Sequence, residues 1–330
     1  MVLEVIYVTR HGFRSNWVVD PETGTYNSTI RSPTGIAADP ALASYGVDQA
    51  RQLADHVVTL DPPVERVYSS PFYRCIETID PSVRKLAEAG KGVGDIRGEN
   101  GIGEWYGTAR FDHPSPASPS VLHSFFPSYS LTYKPHIIPS SAGETIPGMH
   151  DRVAYALTQM IHELDSDPAG PKAVLLCTHA APLIAIGRVL TGRMPDSVEA
   201  EDFRPFTCSL SKFVRRRPGG PVEAPGNDSV DAEKAAQVAK ETIHWRDGNG
   251  VGGGWDCIIN GDCSFLSGGE ERGWRFSGDE SFAPPKHPSE ALGLDAGTEL
   301  GVVVEGHKKG GRKGSGTDDT SDGSSSGSRL

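Results

Sequence analysis

The stretch Ile6–Asn16, IYVTRHGFRSN, passes from apolar strand chemistry straight into Arg10, His11 and Arg14. Leu3 to Thr9 is rich in β-branched and aromatic residues and has the length of a central, fully buried strand. In an α/β sheet, ligands bind beyond the carboxyl ends of the strands. The three basic or titratable side chains therefore stand where a ligand is expected.

Outward from this strand the chain alternates. A loop punctuated by Pro, Gly, Asn and Ser covers Asp20 to Pro40 and leads to YGVDQARQLADHVVTL, in which Val47, Ala50, Leu53, Ala54, Val57 and Val58 form one apolar helical stripe, with Ser44 as a candidate cap. VERVYSS then reads as a second buried strand, and PFYRCIETIDPSVRKLAEAG as a helix with Pro71 near its start and Gly90 past its end. A Pro- and Ser-rich insertion occupies roughly residues 113–141. After it, Val153, Leu157, Met160, Ile161 and Leu164 mark another amphipathic helix. KAVLLCTHAAPLIAIGRVLTG gives a strand, a tight turn at Thr178–Ala180 and a helix ending near Gly192, and FTCSLSKFVRRR supplies a last strand. Apolar strands alternating with helices predict an α/β, three-layer domain with a mostly parallel sheet.

Composition narrows the function. The 330 residues carry a formal net charge of −11, which excludes wholesale wrapping of nucleic acid but allows a local cationic pocket. Five scattered cysteines form no CxxC pair, so free thiols in a reducing compartment are expected. No apolar run reaches the roughly 20 residues of a membrane helix. MVLEVIYV lacks a basic region and a small-residue cleavage site, so cytosolic synthesis is expected, with a nuclear destination open.

The strand ends converge on phosphate chemistry. Thr178–His179 closes its strand as Arg10–His11 closes the first, and Arg74 sits just inside a helix N-terminus, whose dipole favours anions. A neutral imidazole is a competent nucleophile toward phosphorus, a role for His11. Arg10 and Arg74 offer bidentate forks, and protonated His179 can donate to a further oxygen. Glu104, in the Gly-bracketed loop GIGEWYG, is the candidate proton donor to the leaving group. Glu99 lies five residues upstream, and Glu144 is expected to start or cap the following helix. The remaining histidines show no spacing that indicates a metal site, and no cofactor is called for.

VTRHG, LASYGVDQARQLA, VYSSPFYRCIET, GIGEWYG, SAGETIPGMHDRV and LLCTHAAPL together resemble, in order and rough spacing, the histidine phosphatase superfamily, with its phosphoglycerate-mutase-like fold. The resemblance covers roughly residues 1–214. It implies a phosphorylated nucleophile at His11, a phosphate pocket of Arg10, Arg74 and His179, and a proton donor at Glu104. Many members carry Glu after the triplet, where this chain has Phe13, and an Asn one residue later than Asn16; Arg14 is a candidate for a phosphate contact there. The mutase branch motifs after the triplet are unmatched, which favours a phosphatase.

Beyond Arg217 the composition becomes polar and rich in Pro and Gly. The expected division is a phosphatase domain over 1–217, a linker over 218–251, a short β-rich docking segment over 252–305 and a disordered tail over 306–330. The segment WDCIINGDCSFLSGGEERGWRFSGDESF resembles the C-terminal part of fungal RNA polymerase III factor IIIC (tau) subunits that begin with a histidine phosphatase domain. That resemblance implies a second tau subunit as partner, contacted through Trp255, Phe265, Trp274 and Phe276, with DNA met only through the complex and a nuclear location. A stand-alone metabolic or protein phosphatase, or a scaffold with vestigial activity, is the alternative.

Overall fold

The computed structural model describes residues 2–197, 199–216, 237–238 and 241–276. Strand β1 (Val5–Arg10) lies inside a six-stranded sheet with β4 (Arg66–Ser69), β5 (Arg97–Gly98), β6 (Ala173–Thr178), β7 (Leu210–Arg215) and β8 (Trp255–Asp262), in the order β5-β4-β6-β1-β7-β8. The first four run parallel; β7 is antiparallel to β1, and β8 to β7. A separate hairpin of β2 (Trp17–Val19) and β3 (Tyr26–Ser28) forms in the loop after β1.

The strand period of two sorts the core into layers. Ile6 and Val8 of β1 face a cluster that includes helices α4 (Ile146–Ser166) and α5 (Ala180–Thr191). Val5 and Tyr7 face the opposite cluster, built with α1 (Ser44–Val57) and α2 (Tyr73–Glu88). Helices thus cover both faces, as the buried, unalternating strand sequences require. Gly90 and Gly192 take positive φ past the ends of α2 and α5, as read from the sequence. Ser44 is instead the first residue of α1, and its N-cap Ala43 has no side-chain cap bond.

Register builds the site. Arg10 pairs with Thr178 across the parallel β1–β6 ladder, and the His11 amide donates to the Thr178 carbonyl at 2.9 Å. The two histidines that follow these strand ends are therefore neighbours, with ring centroids 5.3 Å apart. The insertion also has structure. It contains α3 (Pro119–Phe125), and Ser128 and Ser130 exchange backbone bonds with Ile96 beside the β5 edge.

The C-terminal half corrects the expected division of the chain. No domain edge falls at 217, because β8 extends the main sheet, and Trp245 and Val251 from the expected linker join the core cluster. Trp255 and Phe276 are fully buried and Trp274 nearly so, in that same cluster, while Phe265 stacks on His56 with centroids 4.3 Å apart. Three of the four aromatics assigned to a partner, Trp255, Trp274 and Phe276, are thus buried within this chain, and Phe265 is half-buried. The reason is plain: large rings that lack enough local sequence to bury them found the uncovered faces of β7 and α5. The rest of the expected linker (218–236 and 239–240), residues 277–305 of the docking segment and the tail at 306–330 lie outside the described residues.

Candidate active site

His11 sits in the turn after β1, 3% exposed, with Nδ1 placed 2.8 Å from the Gly12 carbonyl. Donation from Nδ1–H to that oxygen leaves the lone pair on Nε2. The turn is held tightly: the Gly12 amide donates to Thr78 Oγ1, the Phe13 amide to Gln49 Oε1, and a Cβ on Gly46 would overlap the Phe13 backbone. That close approach is why α1 opens with glycine at this position.

Arg74, fully buried in the first turn of α2, donates from Nη2 to Glu104 Oε2 at 2.8 Å and from Nη1 to the Ala38 carbonyl at 3.1 Å and Asp39 Oδ1 at 3.4 Å. His179 is the N-cap of α5, so the helix N-terminus opens on the site. Its Nδ1 lies 3.1 Å from both Glu104 Oε2 and Arg74 Nη2, its Nε2 2.7 Å from Ser70 Oγ, and the Cys75 sulfur 3.5 Å from Nε2. The Phe72 ring meets His179 edge-on at 5.4 Å and lies 4.8 Å below the Arg74 guanidinium carbon.

The structure brings His11, Arg74, Glu104 and His179 together and treats the other two arginines differently. Arg10 is buried, and its Nη1 donates to the carbonyls of Pro205 (2.7 Å) and Arg272 (2.5 Å), so one end of the expected phosphate fork holds the C-terminal backbone. Arg14 is half-buried, donates to the Ser15 carbonyl and lies 5.8 Å from the centre of the Trp17 ring. Glu99 is fully buried and accepts from the Gly101 amide, the Tyr133 hydroxyl and the His136 amide, a scaffold for the insertion. Glu144 does not cap α4; Thr145 does, and Glu144 pairs with Arg152. Asp39, Ser70 and Cys75 were not singled out in the sequence. Asp39 and Ser70 are short polar residues at loop ends, with no spacing that marks them, and Cys75 was read only as a free thiol.

The charges fit an anion. Burial, then Arg74, His179, Arg10 and Arg14, hold the His11 imidazole well below its ordinary pKa, so it is neutral at pH 7. Burial works to lower His179 as well, but the Cys75 sulfur and the Glu104 carboxylate outweigh it and raise the group. Burial opposes ionisation of Glu104, yet His179, Arg74 and Arg14 pull it well below the usual carboxylate range. Burial and Arg74 lower Arg14, partly offset by Glu104, and burial lifts Asp39 to about 6 against the pull of Arg74. His11, Glu104 and His179 bring ligand atoms within 4.8 Å of one another, a set that can hold a metal ion. Arg74 already pairs with that set, and Arg10 and Arg14 add to the positive field on His11, so the chemistry of the surroundings suits phosphate rather than a cation.

A cavity of about 460 Å³ opens beside the site, lined by Phe72, Glu104, Tyr106, Tyr129, Tyr133 and prolines of the insertion, with no Lys or Arg in its lining.

The family model of the histidine phosphatase superfamily (branch 1) matches residues 6–228. The transcription factor tau 55 kDa subunit of Saccharomyces cerevisiae is 36% identical over 282 residues, covering 84% of this chain and 59% of its own length. The ecdysteroid-phosphate phosphatase of Drosophila melanogaster is 26% identical over 215 residues, covering 58% of this chain and 27% of its own. A crystal structure of the ecdysone phosphate phosphatase of Bombyx mori with tungstate is 20% identical, with a TM-score of 0.49 over 70% of this chain and 99% of that one. The chain thus spans less than two thirds of either curated relative. The matched model covers most of the chain, including both strand-end histidines, and the protein belongs to the histidine phosphatase superfamily, branch 1.

Proposed function

We propose that the protein is a phosphomonoester hydrolase that works through a phosphohistidine at His11. The observation that carries this reading is a buried, neutral imidazole whose Nδ1 is fixed by a carbonyl, beside Arg74, His179 and the N-terminus of α5. Nε2 attacks phosphorus as the ester P–O bond breaks, and Glu104 passes a proton to the leaving oxygen. Water then attacks the phosphohistidine and returns a proton to Glu104. Glu104 is bound to Arg74 and His179. A phosphate dianion competes for both partners, and losing them raises the carboxyl pKa toward what an acid catalyst needs.

Among the described residues no Lys or Arg lines the cavity, which supports a substrate with one phosphate on an uncharged, largely apolar group, since a second phosphate would find no fixed positive charge in that lining. The test is rapid quenching with a radiolabelled aryl monophosphate. Wild-type protein should trap acid-labile, base-stable label, and His11→Ala should trap none; label persisting in the alanine variant would refute the reading.

Similarity to the tau subunit supports a second, compatible role, as a nuclear component of an RNA polymerase III factor IIIC complex. A tau partner would have to meet a surface other than Trp255, Trp274 and Phe276, which are buried within this chain, while Phe265 is half-buried. Tagged full-length chain should recover other factor IIIC subunits from its own cells; their absence would leave a free phosphatase.

A further inference from the structure

The proton donor is carried on an arm that the rest of the fold grips with unusual completeness. The arm is the turn at Asn100–Ile102 and the Gly103 that follows it, directly before Glu104. Arg152, on α4 and 1% exposed, donates from Nη1 to the carbonyls of Asn100 (3.4 Å), Gly101 (2.9 Å) and Gly103 (3.3 Å). The remaining carbonyl, of Ile102, accepts from Thr178 Oγ1 at 2.6 Å, next to His179. The other edge of the Arg152 fork is bound by Glu144, with Nε 2.8 and 3.1 Å from its two oxygens and Nη2 2.5 Å from Oε1. Glu144 closes the loop, because its backbone carbonyl accepts from Trp105 Nε1 at 3.0 Å, and Trp105 follows Glu104. Glu104 is therefore held on one side of its own peptide by the Arg152 side chain and on the other by the backbone of Glu144, the residue that binds Arg152.

A pair whose arginine is buried and whose carboxylate is partly exposed is a weak source of stability, since desolvation of the guanidinium offsets much of the attraction. What it supplies is a fixed geometry: the planar guanidinium meets three carbonyls at Nη1 while its Nε and Nη2 hold Glu144, a two-sided arrangement that a single ammonium does not reproduce. We infer that Arg152, oriented by Glu144, is the positioning residue for the Glu104 proton donor. This rests on the hydrolase reading above. Arg152 itself touches no reacting atom; it acts by holding the Glu104 carboxyl at the leaving oxygen, where a shift of about 1 Å can cost about 100-fold in rate.

The consequence is selective. A proton donor matters for esters with poor leaving groups and little for those that depart unprotonated. Arg152→Lys, Arg152→Met and Glu144→Gln are measured on phenyl phosphate and on 2,4-dinitrophenyl phosphate. The expected result is a fall in kcat/KM, which reports the step that expels the leaving group, of about 100-fold on phenyl phosphate with less than about a threefold change on the dinitrophenyl ester. The losses should vanish in a Glu104→Gln background, where no donor remains to be positioned. Equal losses on both esters, or additive losses in the Glu104→Gln background, would overturn the assignment in favour of a structural role, as would an unchanged phenyl phosphate rate. If the Arg152 variants do not fold, Glu144→Gln, which keeps the size of the side chain and removes only the charge that orients Arg152, carries the same comparison. The hydrolase reading fails separately, by His11→Ala keeping full activity on both esters.

Discussion

Arg74 shows why a single side chain type was required. One guanidinium reaches Asp39, the Ala38 carbonyl, Glu104 and the edge of His179 from a fully buried position, which only a planar, five-donor group does. Lysine keeps the charge and loses the fork. Arg74→Lys should weaken inhibition by orthovanadate by at least about tenfold, because a bidentate charge-assisted contact is replaced by a point charge. Titrating vanadate against hydrolysis of an aryl phosphate measures this, and unchanged inhibition would mean that Arg74 serves Glu104 and Asp39 rather than the phosphate. Here the placement was legible: RHG and CTH put His11 and His179 at strand ends and YRC puts Arg74 in the first turn of a helix, and the fold brings the three together. It was not legible that Arg10 would hold the Pro205 and Arg272 carbonyls, since their approach depends on a chain that returns some two hundred residues later.

At the scale of elements, β8 and the aromatics after it decide whether the folded unit is complete. β8 covers the edge of β7, Arg215 donates to the Gly252 carbonyl and sits 5.4 Å from the centre of the Trp255 ring, and Phe276 packs 5.7 Å from Trp105, the residue after Glu104. The aromatic segment thus buttresses the active-site arm from within. Trp255→Ala should cost about 3–5 kcal/mol through cavity formation, read as a lower urea midpoint at constant slope. A chain ending at Arg216 should lose cooperative unfolding altogether. Normal unfolding of that truncation would show that residues 1–216 fold alone and that β8 is an appendage. Periodicity misled because β8 has no clean apolar alternation: both of its faces are partly used, and exposed Ile258 stands next to Ile259.

For the whole molecule, buried neutral histidines tie stability to pH. His150 is fully buried in α4; its Nδ1 lies 2.8 Å from the Ile146 carbonyl, its ring is parallel to Trp245, and its Nε2 has no hydrogen-bond partner among the described residues. Burial, with Arg188 and Arg246, lowers it to about 4, only partly opposed by the bond to Ile146 and by Asp202. His11 is also lowered. A histidine whose folded pKa lies below its unfolded value of about 6.5 binds protons preferentially in the unfolded chain between the two. Stability is then full above about pH 6.5, falls as pH drops toward about 4, and levels off below that as far as His150 is concerned. Urea midpoints across pH 4–7 should show this decline, and His150→Leu should flatten part of it. An unchanged slope in the variant would show that His150 is not among the groups responsible.

The sequence by itself determined the layered α/β architecture and the place of His11 at a strand end, because strand and helix periods and the residues at strand ends are local properties that survive without knowledge of the fold. Strand order, and with it the pairing of Arg10 with Thr178 that makes neighbours of His11 and His179, was decided only in three dimensions. So was the fate of Trp255, Trp274 and Phe276: the sequence shows that such rings must be buried, but whether a partner or the chain's own sheet covers them depends on which apolar face is left open, and that is a property of the assembled fold.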